Sequence, residues 1–380
     1  MANEFCLMAV GDIFIGGPDD YPHIGHASPI TKERPSLDTW LERIAPVLRQ
    51  GAFTMGNLEG PICNGGEADA VKLVTGGGII RMPPEAAHVM KRAGITAVSL
   101  ANNHCMDLGP EKMIETIEHL DAAGVAWSGG GRNLAEARKP AIMERNGVRL
   151  AFLSYTSTFM PGTHPAGENK IGMATVAVTT AYELPANVRY APGVQPRVIT
   201  TADRKDVERM IDDVKRARTQ ADVVVVSWHW GLTRYANSYA MGIPVDDAPF
   251  FVHGYQEEMG RAAIDAGADL VMGHHPHRLQ GMEIYKGKLI CYSLCDLVMS
   301  FDEGPNFGPE SAIVKGYIDA AKKQVTRYTF IPMLVPHGIR EPFAVPGEQA
   351  GEFVTLLTGL SKKYRTKFRL EGDEIAIEAP

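Results

Sequence analysis

Gly267-Ala-Asp-Leu-Val-Met-Gly-His274-His275-Pro276-His277, running on to Tyr292-Ser-Leu-Cys-Asp296-Leu-Val-Met299, decides how this chain reads. Ala268 to Met272 is a short apolar run of the kind a buried parallel strand needs. The run stops at Gly273, where glycine lets the chain turn sharply as it leaves a sheet. Three histidines follow at once, His274, His275 and His277. Imidazole is the commonest metal ligand near neutral pH. An H-x-H pair on an extended segment points both rings to one side. His275 and His277 are therefore placed to share one metal, and Pro276 stiffens the backbone between them.

Four more apolar runs end in the same way. Phe5 to Val10 leads to Gly11-Asp12, and Ala52 to Met55 leads to Gly56-Asn57-Leu58-Glu59. Ile95 to Leu100 leads to Ala101-Asn102-Asn103-His104, and Val223 to Ser227 leads to Trp228-His229-Trp230. Helical periods separate most of these runs, as in Asp203 to Arg218, which predicts an α/β protein with a largely parallel sheet. Ligands of such sheets bind beyond the carboxyl ends of the strands. Asp12, Glu59, Asn103, His229, His275 and His277 are thereby expected on one rim.

Around this frame, Ser36 to Leu48 reads as a helix with Trp40, Leu41, Ile44 and Leu48 on one face. Pro83 to Arg92, closed by Gly94, and Pro110 to Ala123, closed by Gly124, read as two more. Asn146-Gly147 and Lys286-Gly287 mark hairpins. Residues 156–201 are irregular and proline-bearing, the signature of a flap or insertion over a site. Residues 1–335 read as one domain and residues 336–380 as a C-terminal helical extension packed on it, with a helix over 348–362.

Composition narrows the setting. The 380 residues carry a net charge of -7 and are 45% hydrophobic, which argues against a nucleic-acid binder. Five scattered cysteines without a C-x-x-C pair suit a reducing compartment. The N-terminus lacks the pattern of a signal peptide, and no apolar run reaches membrane-spanning length. A cytoplasmic protein with no membrane partner is expected.

The residue types narrow the chemistry. Two carboxylates, an amide oxygen and three imidazoles suit Mn²⁺, Fe²⁺ or Zn²⁺ better than Mg²⁺ or Ca²⁺. Six such ligands exceed the three of a mononuclear catalytic zinc. They suggest two ions about 3.5–4 Å apart with Glu59 between them. His104 follows a ligand amide, where it can protonate a leaving group or steady an oxyanion. Asp107 is placed to hold it. Arg81, Lys72 and Arg278 are candidates for binding a substrate's negative charge. His23, His26, His164 and His253 do not leave strands in this pattern and are not expected as ligands. The cysteines read as buried apolar groups.

Together Val10-Gly-Asp12, Gly56-Asn-Leu-Glu-Gly60, Ser99-Leu-Ala-Asn-Asn-His104, His229-Trp-Gly231 and Gly273-His-His-Pro-His277 resemble the CapA family. That family is named for poly-γ-glutamate capsule biosynthesis and is related to calcineurin-like metallophosphoesterases. The resemblance covers residues 5 to 300. It implies a four-layer α/β/β/α fold with two facing sheets. It also implies a metal site from Asp12, Glu59, Asn103, His229, His275 and His277, with His104 beside it. Two departures stand out. A calcineurin-like enzyme usually begins D-x-H, whereas Asp12-Ile13-Phe14 has no histidine, so the resemblance leaves one divalent ion or two open. The family often has Tyr-Ser-Leu-Gly-Asn-Phe, whereas this chain has Tyr292-Ser-Leu-Cys-Asp296-Leu.

The expected activity is metal-dependent hydrolysis of an amide, γ-glutamyl-like or otherwise carboxylate-bearing, in a small or peptide-like acidic substrate. Phosphoryl transfer would need several fixed cations around three equatorial oxygens, and the strand ends supply none. An amide needs one oxyanion partner and a proton for the departing nitrogen, which His104 can give. The alternatives are a metal-dependent phosphoesterase and a non-catalytic component of polyglutamate synthesis or export.

Overall fold

Strand β1 (Glu4–Phe14) is buried from Cys6 onward, and its alternate side chains serve two different cores. Leu7 and Ala9 face one way and pack with Phe53, Val223, Val225 and Leu270. Met8 and Val10 face the other way and pack with Trp40, Val89 and Ile117. A strand whose two faces are both apolar must lie inside a layered structure. The computed structural model describes residues 4–16, 36–70, 72, 78–184, 196–233, 250–300, 308–336 and 341–380.

In chain order the remaining strands are β2 (Phe53–Leu58), β3 (Ala97–Ser99), β4 (Ala126–Ser128), β5 (Gly130–Gly131), β6 (Ala141–Arg145), β7 (Val148–Thr156), β8 (Gly172–Met173), β9 (Val178–Glu183), β10 (Arg197–Ala202), β11 (Val223–His229), β12 (Leu270–His274), β13 (Met282–Tyr285), β14 (Lys288–Cys291), β15 (Asp296–Met299), β16 (Glu310–Asp319), β17 (Gln324–Leu334), β18 (Phe343–Ala344), β19 (Lys367–Glu371) and β20 (Glu374–Glu378). The longer helices are α1 (Glu85–Ala93), α2 (Pro110–Ala123), α3 (Arg204–Arg218), α4 (Gly254–Ala266) and α5 (Gly351–Leu360).

One large sheet runs β19-β20-β17-β16-β1-β2-β3-β4, with β15 also on β1 and β18 on β17. The second runs β13-β14-β12-β11-β7-β6. The core between them holds Leu7 and Phe53 from the first sheet and Val225 and Leu270 from the second. Helices α1 and α2 cover the outer face of the first sheet through Val89, Met90, Met113 and Ile117. Helices α3 and α4 cover the second through Met210, Val214 and Met259 against Val224 and Val226. The result is the four-layer α/β/β/α sandwich. Its sheets are mixed rather than largely parallel. Strands β1 to β4 pair in parallel, as do β7, β11, β12 and β14, while β16, β17, β19 and β20 are antiparallel additions.

The turn chemistry follows the sequence. Helices α1, α2 and α4 each end at a left-handed glycine, Gly94, Gly124 and Gly267, because only glycine adopts that conformation without a Cβ clash. Asn146 and Gly147 both take positive φ between β6 and β7, as a two-residue hairpin requires.

Three expectations change. Residues 36–48 form a 3₁₀ turn, Leu37–Trp40, and a separate turn of helix, Ala45–Leu48. Pro46 has no N–H to continue a longer helix, and the apolar face is buried all the same. The irregular segment after Thr156 contains the paired strands β9 and β10. The C-terminal extension, expected to be helical, contains α5 and a hairpin, and β20 joins the large sheet beside β17. The Ile-Ala-Ile alternation at 375–377 is the cause, since Ile375 and Ile377 enter the inter-sheet core. His23 and His26 lie outside the described residues.

His253 stands just before α4, 3% exposed, where its backbone N–H donates to Gln256 Oε1 at 2.8 Å. Burial drives its pKa down to about 4. The unfolded chain takes up this proton near pH 6.5 and the folded chain does not. The contribution to stability is therefore present above pH 6.5 and lost as pH falls through 4, amounting to about 3 kcal/mol. His253→Gln is expected to flatten the loss of stability between pH 7 and 4 by about 3 kcal/mol in urea titrations. An unchanged pH profile in that variant would count against the assignment.

Candidate metal centre

The switch of partners along β1 builds the site. From Glu4 to Val10 its edge pairs with β16, and from Asp12 onward the same edge pairs with β15. Gly11 lies at the changeover. A Cβ there would sit 1.8 Å from the Cys295 carbonyl oxygen, which accepts the Asp12 N–H at 2.9 Å. Asp12 thus stands in register with Asn57 of β2 on one side and Asp296 of β15 on the other. In the facing sheet, His229 of β11 is in register with His274 of β12.

Asn57 joins the two sheets. Its side-chain amide donates to Asp12 Oδ1 at 2.8 Å and to Glu59 Oε2 at 2.5 Å. Its Oδ1 accepts from Asn102 Nδ2 at 3.0 Å. His229 Nε2 lies 2.6 Å from Asn103 Oδ1, and its Nδ1 lies 2.9 Å from His274 Nδ1 and 3.6 Å from Glu59 Oε2. His277 Nδ1 lies 2.7 Å from Asp296 Oδ1 and 3.5 Å from Asp12 Oδ2. The His275 ring meets His229 with centroids 4.5 Å apart.

The histidine turn differs from the extended one expected. Strand β12 runs through Gly273 to His274, and Gly273 is needed there because a Cβ would meet the Tyr292 carbonyl oxygen at 2.2 Å. His275 and His277 both have positive φ, 102° and 54°. Their rings, with centroids 6.1 Å apart, leave this tight turn into different donor sets, His275 with Glu59 and His229 and His277 with Asp12 and Asp296, so they do not share one set as strand alternation would have them.

His104 borders this cluster. Its Nδ1 lies 2.7 Å from Asp107 Oδ2, and its Nε2 faces Glu59 Oε1 at 3.9 Å. The side chain is 18% exposed, whereas Asp107 is fully buried. Asp107 also accepts the Ile80 N–H at 3.0 Å and is ion-paired with Lys72. Lys72 donates in addition to the Asn103 carbonyl at 2.8 Å. Expected as a cation for substrate, Lys72 is buried, and its charge is answered by Asp107. Arg81 donates to the Cys63 carbonyl at 3.4 Å. Arg278 lies beside Gly308 and over the Phe250 ring. These contacts of the two arginines lie outside the cluster.

Burial sets the electrostatics. It raises Asp12 well above the carboxylate range, with the charge of Glu59 adding to the effect. It also raises Glu59, against the pull of His104. Burial lowers His229 and His275 well below the usual imidazole value and takes His274 to about 3. Burial opposes charge on His277 too, but Asp296 and Asp12 outweigh it and raise that ring to about 9. At Asp107, burial is outweighed by His104 and Lys72, which keep the carboxylate ionised.

The donor set fits divalent ions. Asp12, His229 and His274, then Glu59, His229 and His275, then Asp12, His277 and Asp296 each bring ligand atoms within 4.8 Å of one another. Glu59 Oε1 and His275 Nδ1 are buried and have no hydrogen-bond partner. Buried polar atoms normally find one, and a cation is the partner both can take. Oxygen and imidazole nitrogen in this mixture suit Mn²⁺, Fe²⁺ or Zn²⁺.

Three contributors were not on the expected ligand list: Asn57, His274 and Asp296. Asn57 did carry a signal, as an amide inside the fully buried strand β2. His274 sits beside the expected pair, where register alone decides which ring turns inward.

Fold and cluster define a metallophosphatase-like α/β protein with a candidate metal centre. A family model described as "Bacterial capsule synthesis protein PGA_cap" matches residues 6–300, and the chain belongs to that family. It is 29% identical over 320 residues to the capsule biosynthesis protein CapA of Bacillus anthracis, covering 83% of this chain and 64% of that protein. It is also 29% identical over 374 residues to the PGA biosynthesis protein CapA of Bacillus subtilis (strain 168), covering 97% of this chain and 81% of that one. A probable polyglutamine synthesis accessory protein of Mycobacterium tuberculosis is 29% identical over 227 residues, covering 58% of this chain and 50% of that protein. A solved structure of a hypothetical protein from Thermus thermophilus aligns with a TM-score of 0.41 at 10% identity, over 90% of this chain and 99% of that one. Among the described residues, no helix is long and apolar enough to cross a membrane.

Proposed function

We propose that this protein is a metal-dependent hydrolase of an amide bond next to a carboxylate, γ-glutamyl-like in character. The observation that carries the reading is His104, held by Asp107 at one ring nitrogen and turned towards Glu59 at the other. Asp12, Glu59, Asn103, His229, His275 and His277 would hold the metal. When bound, such an ion supplies a Lewis acid and lowers the pKa of water at the site. His104 gives the departing amine its proton, and Asp107 fixes the ring and its tautomer. Lys72 keeps Asp107 charged and in place. A phosphoryl group would call for several cations around it, and Lys72 is already engaged. The Bacillus relatives are named for capsule and for PGA biosynthesis, and the poly-γ-glutamate of the family resemblance supports an acidic amide substrate. All five cysteines are buried free thiols, which supports a cytoplasmic setting.

A panel of γ-glutamyl peptides and other acidic amides, assayed with Mn²⁺ or Zn²⁺, is expected to yield a better substrate than phosphomonoesters and phosphodiesters. Turnover of a phosphodiester with no amide cleaved would reverse the ranking in favour of a phosphoesterase. Silence on both panels from metal-loaded protein would point to a non-catalytic accessory role, the word used for the Mycobacterium relative.

A further inference from the structure

His164 is 1% exposed, and its Nε2 atom has no hydrogen-bond partner among the described residues. Its other polar groups are all engaged. The backbone N–H donates to the Met160 carbonyl at 3.0 Å, and the His164 carbonyl accepts the Met173 N–H at 2.8 Å. The ring's Nδ1 accepts the Met160 N–H at 3.3 Å. A ring nitrogen that accepts carries no proton, so the neutral imidazole carries it on Nε2. Burial, helped by the charge of Lys72, brings the pKa of the ring down to about 4. Near pH 7 Nε2 is therefore a neutral N–H donor, fixed in place and lacking the acceptor that buried donors normally find.

The donor stands beside the candidate site. Its segment leaves β7 at Thr156, where the Thr156 hydroxyl and the Ser157 N–H both donate to the His229 carbonyl, at 3.1 and 3.0 Å. Phe159 and Met173, on either side of His164 in the chain, join the core that contains Cys105 and Met106, the two residues after His104. The segment thus spans from the end of β11 to the loop after β3. Lys72, Asp107, Asp69 and His104 all act electrostatically on the ring, Lys72 the most strongly, and a cation nearby favours an anion at this place. In the amide reading, the metal and His104 serve the bond that breaks. Neither holds the substrate's carboxylate, and Lys72 is engaged by Asp107.

We infer that His164 is a substrate-binding residue whose Nε2–H donates to the carboxylate of the acidic substrate. This rests on the amide reading above and adds the group that recognises the acid.

The test uses the full chain loaded with Mn²⁺, with glutarate and its diamide glutaramide as inert probes in calorimetric titrations. Wild-type protein is expected to bind glutarate and to bind glutaramide more weakly. His164→Asn keeps an acceptor for the Met160 N–H but loses the outer donor. His164→Gln puts an N–H donor at the place of Nε2 but loses that acceptor. The Asn variant is expected to bind glutarate roughly 10–100-fold more weakly, the worth of a hydrogen bond to a charged group, and the Gln variant to stay near wild type. On the best acidic amide of the panel, the Asn variant should raise KM by the same factor and leave kcat near wild type. Unchanged binding in the Asn variant, or a greater loss in Gln than in Asn, would overturn the inference and make the role of His164 structural. A fall in kcat at unchanged KM would also overturn it, by moving the acceptor to the carbonyl of the breaking bond. Wild type decides even if a variant does not fold, because glutaramide bound as tightly as glutarate, or no glutarate bound at all, would overturn it too. In either case the amide panel still judges the hydrolase reading. The expected pattern of glutarate binding with a silent panel would keep His164 as an acid-binding residue and remove the hydrolase.

Discussion

His104→Ala is expected to keep its metal and to lose turnover by about 10²–10⁴-fold on the best substrate that the panel yields. The separation of the two effects follows from geometry. His104 Nδ1 is occupied by Asp107, and Nε2 stands 3.9 Å from Glu59 Oε1 at the edge of the donor cluster. The ring is partly exposed, as a group that hands a proton to a leaving atom must be. The metal-donor triads do not include it. Metal analysis and kcat on the same preparation decide the matter. Metal lost in step with turnover would make His104 a ligand, and turnover within tenfold of wild type would end its role as a proton donor.

The second large effect is on metal. His229 belongs to two of the three donor sets and is fully buried. It also binds Asn103 Oδ1 and approaches His274. His229→Ala removes a shared donor and leaves both neighbours without their partner. Metal affinity is expected to fall by more than the roughly 10–100-fold that loss of an outer partner causes, and turnover with it. Elemental analysis after dialysis against a metal buffer measures this directly. Full metal content in the variant would show that the cluster is not the binding site.

Much of this arrangement was legible because each strand announces its own end. Asp12, Glu59, Asn103 and His229 follow apolar runs, and in parallel sheets those ends must share an edge. The rule needs no knowledge of distances. It fails where the chain obeys a longer-range constraint. The positive φ of His275 and His277, and the close approach of the Tyr292 carbonyl to Gly273, have no local signal in the sequence. Asn57 was passed over because Gly56-Asn57-Leu58-Glu59 looked like the exit of the strand, while β2 runs on to Leu58. Lys72 was read as a substrate cation because nothing local pairs it with Asp107, 35 residues away. At the C-terminus, Gly372 with its positive φ marks the turn between β19 and β20. That signal was present but was masked by the helical pattern of the preceding residues.

The segment from Cys291 to Asp296 leaves one sheet at β14 and enters the other at β15. Along the way the Leu294 N–H donates to Gly273, the Tyr292 carbonyl accepts from Trp230 Nε1, and the Cys295 carbonyl accepts from Asp12. Six residues thus rivet both halves of the sandwich at the very edge where their donor atoms meet. The consequence is kinetic. Neither sheet can fray at this edge by itself, so the amide hydrogens of Asp12 and Leu294 are expected in the slowest-exchanging set, released only when the molecule unfolds as one. The donor cluster therefore keeps its shape through the local openings that flicker across the rest of the protein.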